Sequence, residues 1–231
     1  MVSVLGITLA RGGSKRLPRK NIKKLQGLPL IEYTINAARK SRHIDRYIVS
    51  TDDQQIADVA ANAGAQVPFL RPASLANDTA SAMDACLHVL DYCKSSEGFE
   101  PEILVLLQAT SPLRTEHHID EALALMEQQD AQSIVSMSTL EYHPNTLLEK
   151  TTEGMISPFC SDSDLLKNGT NQELYRINGA IYAIKTASLY KNKSFFGPST
   201  LPYIMSREHS IDIDTALDFQ IASLLMQDRS D

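Results

Sequence analysis

A chain of 231 residues, 43% hydrophobic and 22% charged, fits one compact domain with a modest appendage and can bury a sizeable core. Its formal charge of -6 excludes the broad basic footprint of a nucleic-acid binder, and no apolar run approaches the ~20 residues of a membrane span. Three cysteines without metal-type spacing, and no basic segment ahead of the first apolar run, lead to the expectation of a reducing, cytoplasmic setting.

In chain order, "VSVLGITLA" is a short, β-branched apolar run ending at a glycine-rich loop, as a buried parallel strand does before a crossover. "PLIEYTINAARKS" carries Leu30, Ile31, Thr34, Ile35 and Ala38 at helical spacing, with Arg39 and Lys40 where the helix dipole favours cations. "RYIVSTDD" is a second strand, "DQQIADVAANAG" a second helix closed by Gly64, and "AQVPFLRP" a third extended segment. "DTASAMDACLHVLDYCK" reads as a helix with Asp78 or Thr79 as N-cap, and Cys86 and Cys93 share one face of it as small hydrophobes. "EILVLLQATSP" is the most apolar strand, "HIDEALALMEQQ" a helix and "SIVSMSTL" another strand. This order predicts an α/β fold, a mostly parallel Rossmann-like sheet with helices on both faces.

The pattern breaks over residues 141–173, where "HPN", "EG", "SP" and "KNG" interrupt a stretch with no clear period. A structureless loop of that length is improbable in a compact domain, so a small subdomain or an oligomerisation arm is expected. "INGAIYAIK" resumes as a strand, and "SIDIDTALDFQIASLLMQ" closes with an acidic turn and an amphipathic helix.

Residues 9–21, "LARGGSKRLPRKN", place two glycines and five basic residues at the end of the first strand of an acidic protein. They satisfy neither G-x-x-x-x-G-K-[ST] nor G-x-G-x-x-G, yet share the physics of those cradles. Small residues let backbone N–H groups approach phosphate oxygens, while Arg11, Lys15, Arg16 and Lys20 can add charge-assisted hydrogen bonds. Far along the chain, Asp212 and Asp214 stand two apart, so on an extended segment both carboxylates reach one cation. Oxygen ligands beside substrate phosphates describe Mg²⁺. Asp214 or Thr215 could equally cap the last helix.

The loop resembles the signature of sugar-nucleotide nucleotidyltransferases, above all the acylneuraminate cytidylyltransferases, or CMP-sialic acid synthetases, a family that includes bacterial CMP-legionaminic acid synthetases. Five further runs carry the resemblance in order: "IVSTDD" (48–53), "LRPASLANDTAS" (70–81), "LLQATSPLR" (106–114), "RINGAIY" (176–182) and "SIDIDTALDF" (210–219). The resemblance implies a nucleotidyltransferase-type fold with a small dimerisation subdomain. Residues 1–140 and 205–231 would form the nucleotide-binding catalytic domain, and residues 141–204 would bind sugar and reach the neighbouring active site of a homodimer.

By the same resemblance, Arg11, Ser14, Lys20 and Asn21 hold the phosphates and ribose of CTP, while Arg71, Ala80 and Ser81 lie where the family recognises cytosine. Gln108, Arg176, Asn178, Tyr182, Phe195 and Phe196 fall on the side of the acceptor sugar. Asp212 and Asp214 hold Mg²⁺, and Lys20, Arg11 and Asp212 carry the chemistry. The implied reaction joins CTP to a nonulosonic acid, giving the CMP-sugar and pyrophosphate. The anomeric 2-hydroxyl attacks the α-phosphorus in line, with an Asp-bound water, a second metal's hydroxide or Asp212 itself as base.

The chain departs from the sialic acid pattern where an Arg-Gln pair usually precedes "NGA" and a lysine follows "HP". It has Asn171 and Gln172 at the first place, and its lysine comes late, at Lys150, with Lys167 as another cation. This leaves room for legionaminic acid, pseudaminic acid or an eight-carbon ulosonic acid. A nucleotide-sugar glycosyltransferase would share the fold and the Asp-x-Asp pair, and a non-catalytic CTP-binding regulator would share the loop.

Overall fold

The computed structural model describes residues 2–142, 144–159 and 173–227, and its centre grows from β1 (Val4–Leu9), the apolar run at the start of the chain. After the basic loop, a tight hairpin of β2 (Lys24–Leu25) and β3 (Leu28–Pro29) leads into α1 (Leu30–Lys40). Then follow β4 (Arg46–Ser50), α2 (Gln54–Asn62), α3 (Ala82–Glu97), β5 (Ile103–Leu106), α4 (Glu116–Gln128) and β6 (Ser133–Thr139). Beyond a small hairpin, β7 (Leu148–Lys150) with β8 (Ile156–Pro158), the chain forms β9 (Tyr175–Lys185), α5 (Thr186–Asn192), β10 (Thr200–Ile204) and α6 (Ala216–Gln227).

The main sheet has six strands in the order β10-β6-β9-β5-β1-β4. β1 runs parallel to β4 and β5, and β10 parallel to β6, while β9 is antiparallel to both its neighbours. Alternate residues of the central strands feed two cores, as the two-residue period of a strand requires. On one face Val4, Ile103 and Val105 meet α1, α2 and α4; on the other Leu5, Ile7, Leu104 and Leu106 meet Cys86, Val89, Leu90 and Cys93 of α3. Both cysteines are free and buried, and burial pushes the Cys86 thiol up to about 12, so they serve as small hydrophobes.

Three expectations need correction. Residues 175–204 do not belong to a subdomain, because β9 lies inside the main sheet between β5 and β6, and β10 extends its edge. From Asn178 to Ile184 the strand is largely buried on both faces, as a central strand must be, and the local break before it says nothing about its destination. "AQVPFLRP" makes only two bridges to the sheet, at Gln66 and Leu70, since Pro68 and Pro72 have no N–H for a ladder. The N-cap of α3 is Ser81, whose hydroxyl accepts from Met83 N–H at 3.0 Å, and not Asp78 or Thr79.

Of residues 141–173, the described part contains the β7–β8 hairpin, on which Leu148, Met155 and Ile156 are exposed, as is Phe159 just after it. His143, Cys160, Lys167, Asn171 and Gln172 lie outside the described residues. Among the described residues no helix is long and apolar enough to cross a membrane.

Candidate active site

The site is built where β1, β4 and β5 end. Ala10 N–H still donates to the Ser50 carbonyl of β4 at 3.0 Å, and the chain then turns away into the basic loop. Gly12 N–H donates to the Asp52 carboxylate at 3.0 Å, and a Cβ on Gly12 would sit 2.7 Å from Asp53 Oδ2. Glycine is required there because the loop presses against the β4–α2 turn. Asn21, buried, closes the loop by donating from Nδ2 to the Arg11 carbonyl at 3.1 Å. Leu17 anchors its underside in an apolar group with Leu25, Leu30, Ile213 and Ala222, which ties the loop to α6.

Four cations of the loop share two carboxylates. Arg11 lies 3.1 Å from Asp78, and Lys15 meets the same carboxylate; Arg16 lies 3.3 Å and Lys20 2.8 Å from Asp214. Lys20 Nζ also donates to the Ile213 carbonyl at 2.7 Å. The excess of positive charge is what a polyanion needs.

The acidic turn is stitched to the end of β5 by Ile213 N–H, which donates to the Thr110 carbonyl at 2.8 Å. Asp212 is half-buried, and its Oδ1 is shut away from water without a hydrogen-bond partner. Burial, with Asp214 adding, holds its carboxyl above the usual range against the opposing hydrogen bond of Thr110 and charge of Lys20. Of the two candidate caps it is Thr215 that closes the helix: Asp218 accepts from the N–H of Thr215 at 2.7 Å and of Asp214 at 3.1 Å, and its own N–H donates to Thr215 Oγ1 at 3.3 Å. This reciprocal cap by Thr215 and Asp218 leaves the Asp214 carboxylate for the cavity.

Arg11, Ser14, Lys20, Asn21, Gln108, Thr110, Asp212 and Asp214 line one cavity of roughly 600 Å³. The expected phosphate-binding and metal-binding residues are therefore together, joined by Gln108 from the sugar side. The orphaned Asp212 Oδ1 and the neighbouring Asp214 fit a hard cation. Among the described residues no cluster of three or more His, Cys, Asp or Glu side chains could hold a metal, so a cation held by this pair would complete its shell with other oxygens, as Mg²⁺ does with phosphate and water.

Of the residues expected to read cytosine, Arg71, Ala80 and Ser81, none is part of this cavity's wall, although Ser81 adjoins it at the start of α3. Ala82 forms part of its wall, while Ser81 caps the helix with a hydroxyl proton still available to donate. Arg71 is buried with Nη2 3.9 Å from Asp52 and Nε unpartnered; burial lowers its guanidinium against the pull of Asp52.

The sugar-side expectations divide. Gln108 lies against Gly179, whose φ is +76° and whose Cβ, if present, would meet Gln108 Oε1 at 2.5 Å. Asn178 is not free to bind sugar. It is buried, Oδ1 accepts from Ser136 Oγ at 2.6 Å and Ala180 N–H at 3.1 Å, and Nδ2 donates to Ser210 Oγ at 2.9 Å. Its amide is committed to holding β6, β9 and the segment before the acidic turn together. Phe195 is likewise a core residue, its ring 5.5 Å from that of Tyr182, and Phe196 is exposed; neither forms part of the cavity wall. Tyr182 is half-buried behind Leu106, near enough to Asp212 for that carboxylate to raise its hydroxyl further, after burial. Arg176 lies 3.7 Å from Glu141, outside the wall, and Lys150 is exposed on β7. Thr110, which nothing local marks, touches the acidic pair, and Asp78, read from sequence only as a helix cap, touches the basic loop.

A family model described as "Cytidylyltransferase" matches residues 5–223. The chain belongs to the cytidylyltransferase family. Over 227 residues it is 37% identical to CMP-N,N'-diacetyllegionaminic acid synthase of Legionella pneumophila, covering 97% of this chain and 96% of that protein. It is 35% identical over 228 residues to N-acylneuraminate cytidylyltransferase of Escherichia coli, covering 98% of this chain but only 53% of that longer protein. A solved structure of CMP:2-keto-3-deoxy-manno-octonic acid synthetase complexed with CTP matches with a TM-score of 0.72 at 17% identity, over 98% of this chain and 99% of the other, a likeness of fold. For a cytidylyltransferase, the meeting of cationic loop and acidic pair in one cavity is the chemically telling feature, because the reaction class needs a triphosphate both held and cleaved.

Proposed function

We propose that this cytidylyltransferase transfers CMP from CTP to the anomeric 2-hydroxyl of a nine-carbon acidic sugar, with a legionaminic acid the foremost acceptor, and releases pyrophosphate. The observation that carries the reading is the cavity shared by the basic loop, the acidic pair and Gln108. The nature of the acceptor is supported by the near full-length likeness to the Legionella protein and by Asn171 and Gln172 standing where sialic acid enzymes often have Arg-Gln.

Arg11, Ser14, Lys20 and Asn21 would bind the triphosphate, with Lys20 and Arg11 neutralising charge on the leaving pyrophosphate. Arg71, Ala80 and Ser81 would read cytosine from the start of α3, and Gln108 would bind the sugar with both faces of its amide. Asp212 and Asp214 would hold Mg²⁺, which when bound lowers the negative charge around the phosphorus under attack. The chain forms no covalent intermediate: holding the hydroxyl in line with the α-phosphorus supplies much of the acceleration. The exposed apolar side chains of the β7–β8 hairpin support a homodimer, which sedimentation tests; an active monomer would reject it. The reaction is tested by measuring pyrophosphate release with each nucleoside triphosphate against a panel of acidic sugars.

A further inference from the structure

Arg114 ends the "LLQATSPLR" run and is among the most deeply buried side chains, 2% exposed. Its guanidinium meets no carboxylate among the described residues, and Nε and Nη2 have no hydrogen-bond partner. Desolvation pushes it down to about 10, so it stays a cation at neutral pH. A buried arginine without a counter-charge is costly, and an apolar residue of similar size would suit the core better. What the side chain does is bridge two backbones: Nη1 donates to the Ala180 carbonyl at 2.9 Å and to the Gln108 carbonyl at 3.3 Å. Thr34 Oγ1 donates to that same Gln108 carbonyl at 3.2 Å.

The bridge spans the place where β5 ends and β9 is irregular. Its register against β6 shifts between Val135 and Met137, beside Gly179 in its left-handed conformation. The Gln108 carboxamide lies against Gly179 with no room for a Cβ, and Thr110 Oγ1 stands 3.5 Å from Gln108 Oε1. Gln108 is thus fixed from behind at its carbonyl and from the side at its amide, with the cavity in front.

We infer that Arg114 is a positioning residue for acceptor selection: it locks the Gln108 backbone to β9 so that the Gln108 amide meets the sugar in one orientation. This rests on the reading of Gln108 as a sugar-side residue. A site that recognises hydroxyl or amide groups gains its discrimination from polar groups held within a few tenths of an ångström, and a loosened amide loses it. The triphosphate end of the cavity is held by the basic loop and does not depend on this bridge.

The test uses the full chain, MgCTP, and the acidic sugar that the wild type turns over fastest. Arg114→Met removes charge and donors at similar volume; Arg114→Lys keeps the charge, but its side chain ends one bond short of the Nη1 position from which both carbonyls are reached. Expected for Arg114→Met is an acceptor KM raised about tenfold or more, with the CTP dissociation constant, read by calorimetry without sugar, within about twofold of wild type. Arg114→Lys should show the same selective change, smaller in size, and it carries the test if the methionine variant does not fold. Combined with Gln108→Ala, Arg114→Met should add nothing to the loss that Gln108→Ala causes alone. Equal losses toward CTP and sugar, no change in either, or multiplying effects in the double variant would overturn the inference. A Gln108→Ala variant with normal acceptor kinetics would instead overturn the sugar-side reading of Gln108, and this inference with it.

Discussion

Lys20 Nζ donates to Asp214 Oδ1 at 2.8 Å, joining the basic loop to the acidic turn across 194 positions of sequence. Arg16 takes the other oxygen of the same carboxylate at 3.3 Å. In the proposed reaction the two halves of the site would exchange partners: a triphosphate would take the cations and free the Asp214 carboxylate for a metal ion. Replacing Lys20 by alanine should therefore remove a charge-assisted phosphate contact of about 1.5–3 kcal/mol, lowering kcat/KM for CTP about ten- to a hundredfold or more. Steady-state kinetics at saturating sugar measure this, and unchanged values would remove Lys20 from the phosphate site.

Asp212 carries an oxygen that is buried and unpartnered, a costly arrangement unless a ligand satisfies it. Asp212→Asn should cut kcat by at least about a hundredfold while the melting temperature holds or rises, because a half-buried charge is lost and the shape is kept. Activity near wild type in a fully stable variant contradicts the metal role. Isothermal titration with Mg²⁺ and CTP should show the same variant losing the metal-dependent part of nucleotide binding.

Asp78 gathers Arg11 and Lys15, two loop cations that Asp214 does not reach. It competes with phosphate for both, and as an exposed carboxylate it competes weakly. Asp78→Asn should lower the KM for CTP about two- to fivefold. A KM raised by an order of magnitude would mean that Asp78 orients the loop for the nucleotide.

Gly179 is constrained twice, by φ of +76° and by the 2.5 Å approach of Gln108 to the position of a Cβ. Gly179→Ala should lower stability by about 1–3 kcal/mol and displace the Gln108 amide. Thermal unfolding reports the first effect and acceptor KM the second, with CTP KM unchanged; a variant as stable and as active as wild type would show that the backbone relaxes without consequence.

Much of this arrangement was legible in the sequence, for a physical reason. Helical spacing in "LIEYTINAARK" and the continuous apolar run of "ILVLL" reflect one-sided and two-sided burial, which the order of residues records. The basic loop and the acidic pair were visible because charge concentrated in short segments of an acidic chain has few structural uses. What escaped depended on distant pairing. Nothing local in "INGAIYAIK" says that it lies antiparallel between β5 and β6, and "TLPYI" tolerates its proline only because β10 is an edge strand. The motif around Asn178 points to sugar, yet contacts with Ser136, Ala180 and Ser210, brought together only by the fold, commit its amide to the structure. The cap of α3 was misplaced for a related reason: Asp78, Thr79 and Ser81 are all capable caps, and Asp78 is drawn instead to Arg11 and Lys15.

The central claim is transfer of CMP to a nine-carbon acidic sugar, and its most direct measurement is pyrophosphate release from the full chain with Mg²⁺, each nucleoside triphosphate in turn, and a panel of eight- and nine-carbon 2-keto acid sugars. The expected result is pyrophosphate in amounts equal to a CMP-sugar product, formed with CTP and fastest with a legionaminic acid. CTP binding without pyrophosphate, or CMP release from a CMP-sugar without its formation, would contradict it.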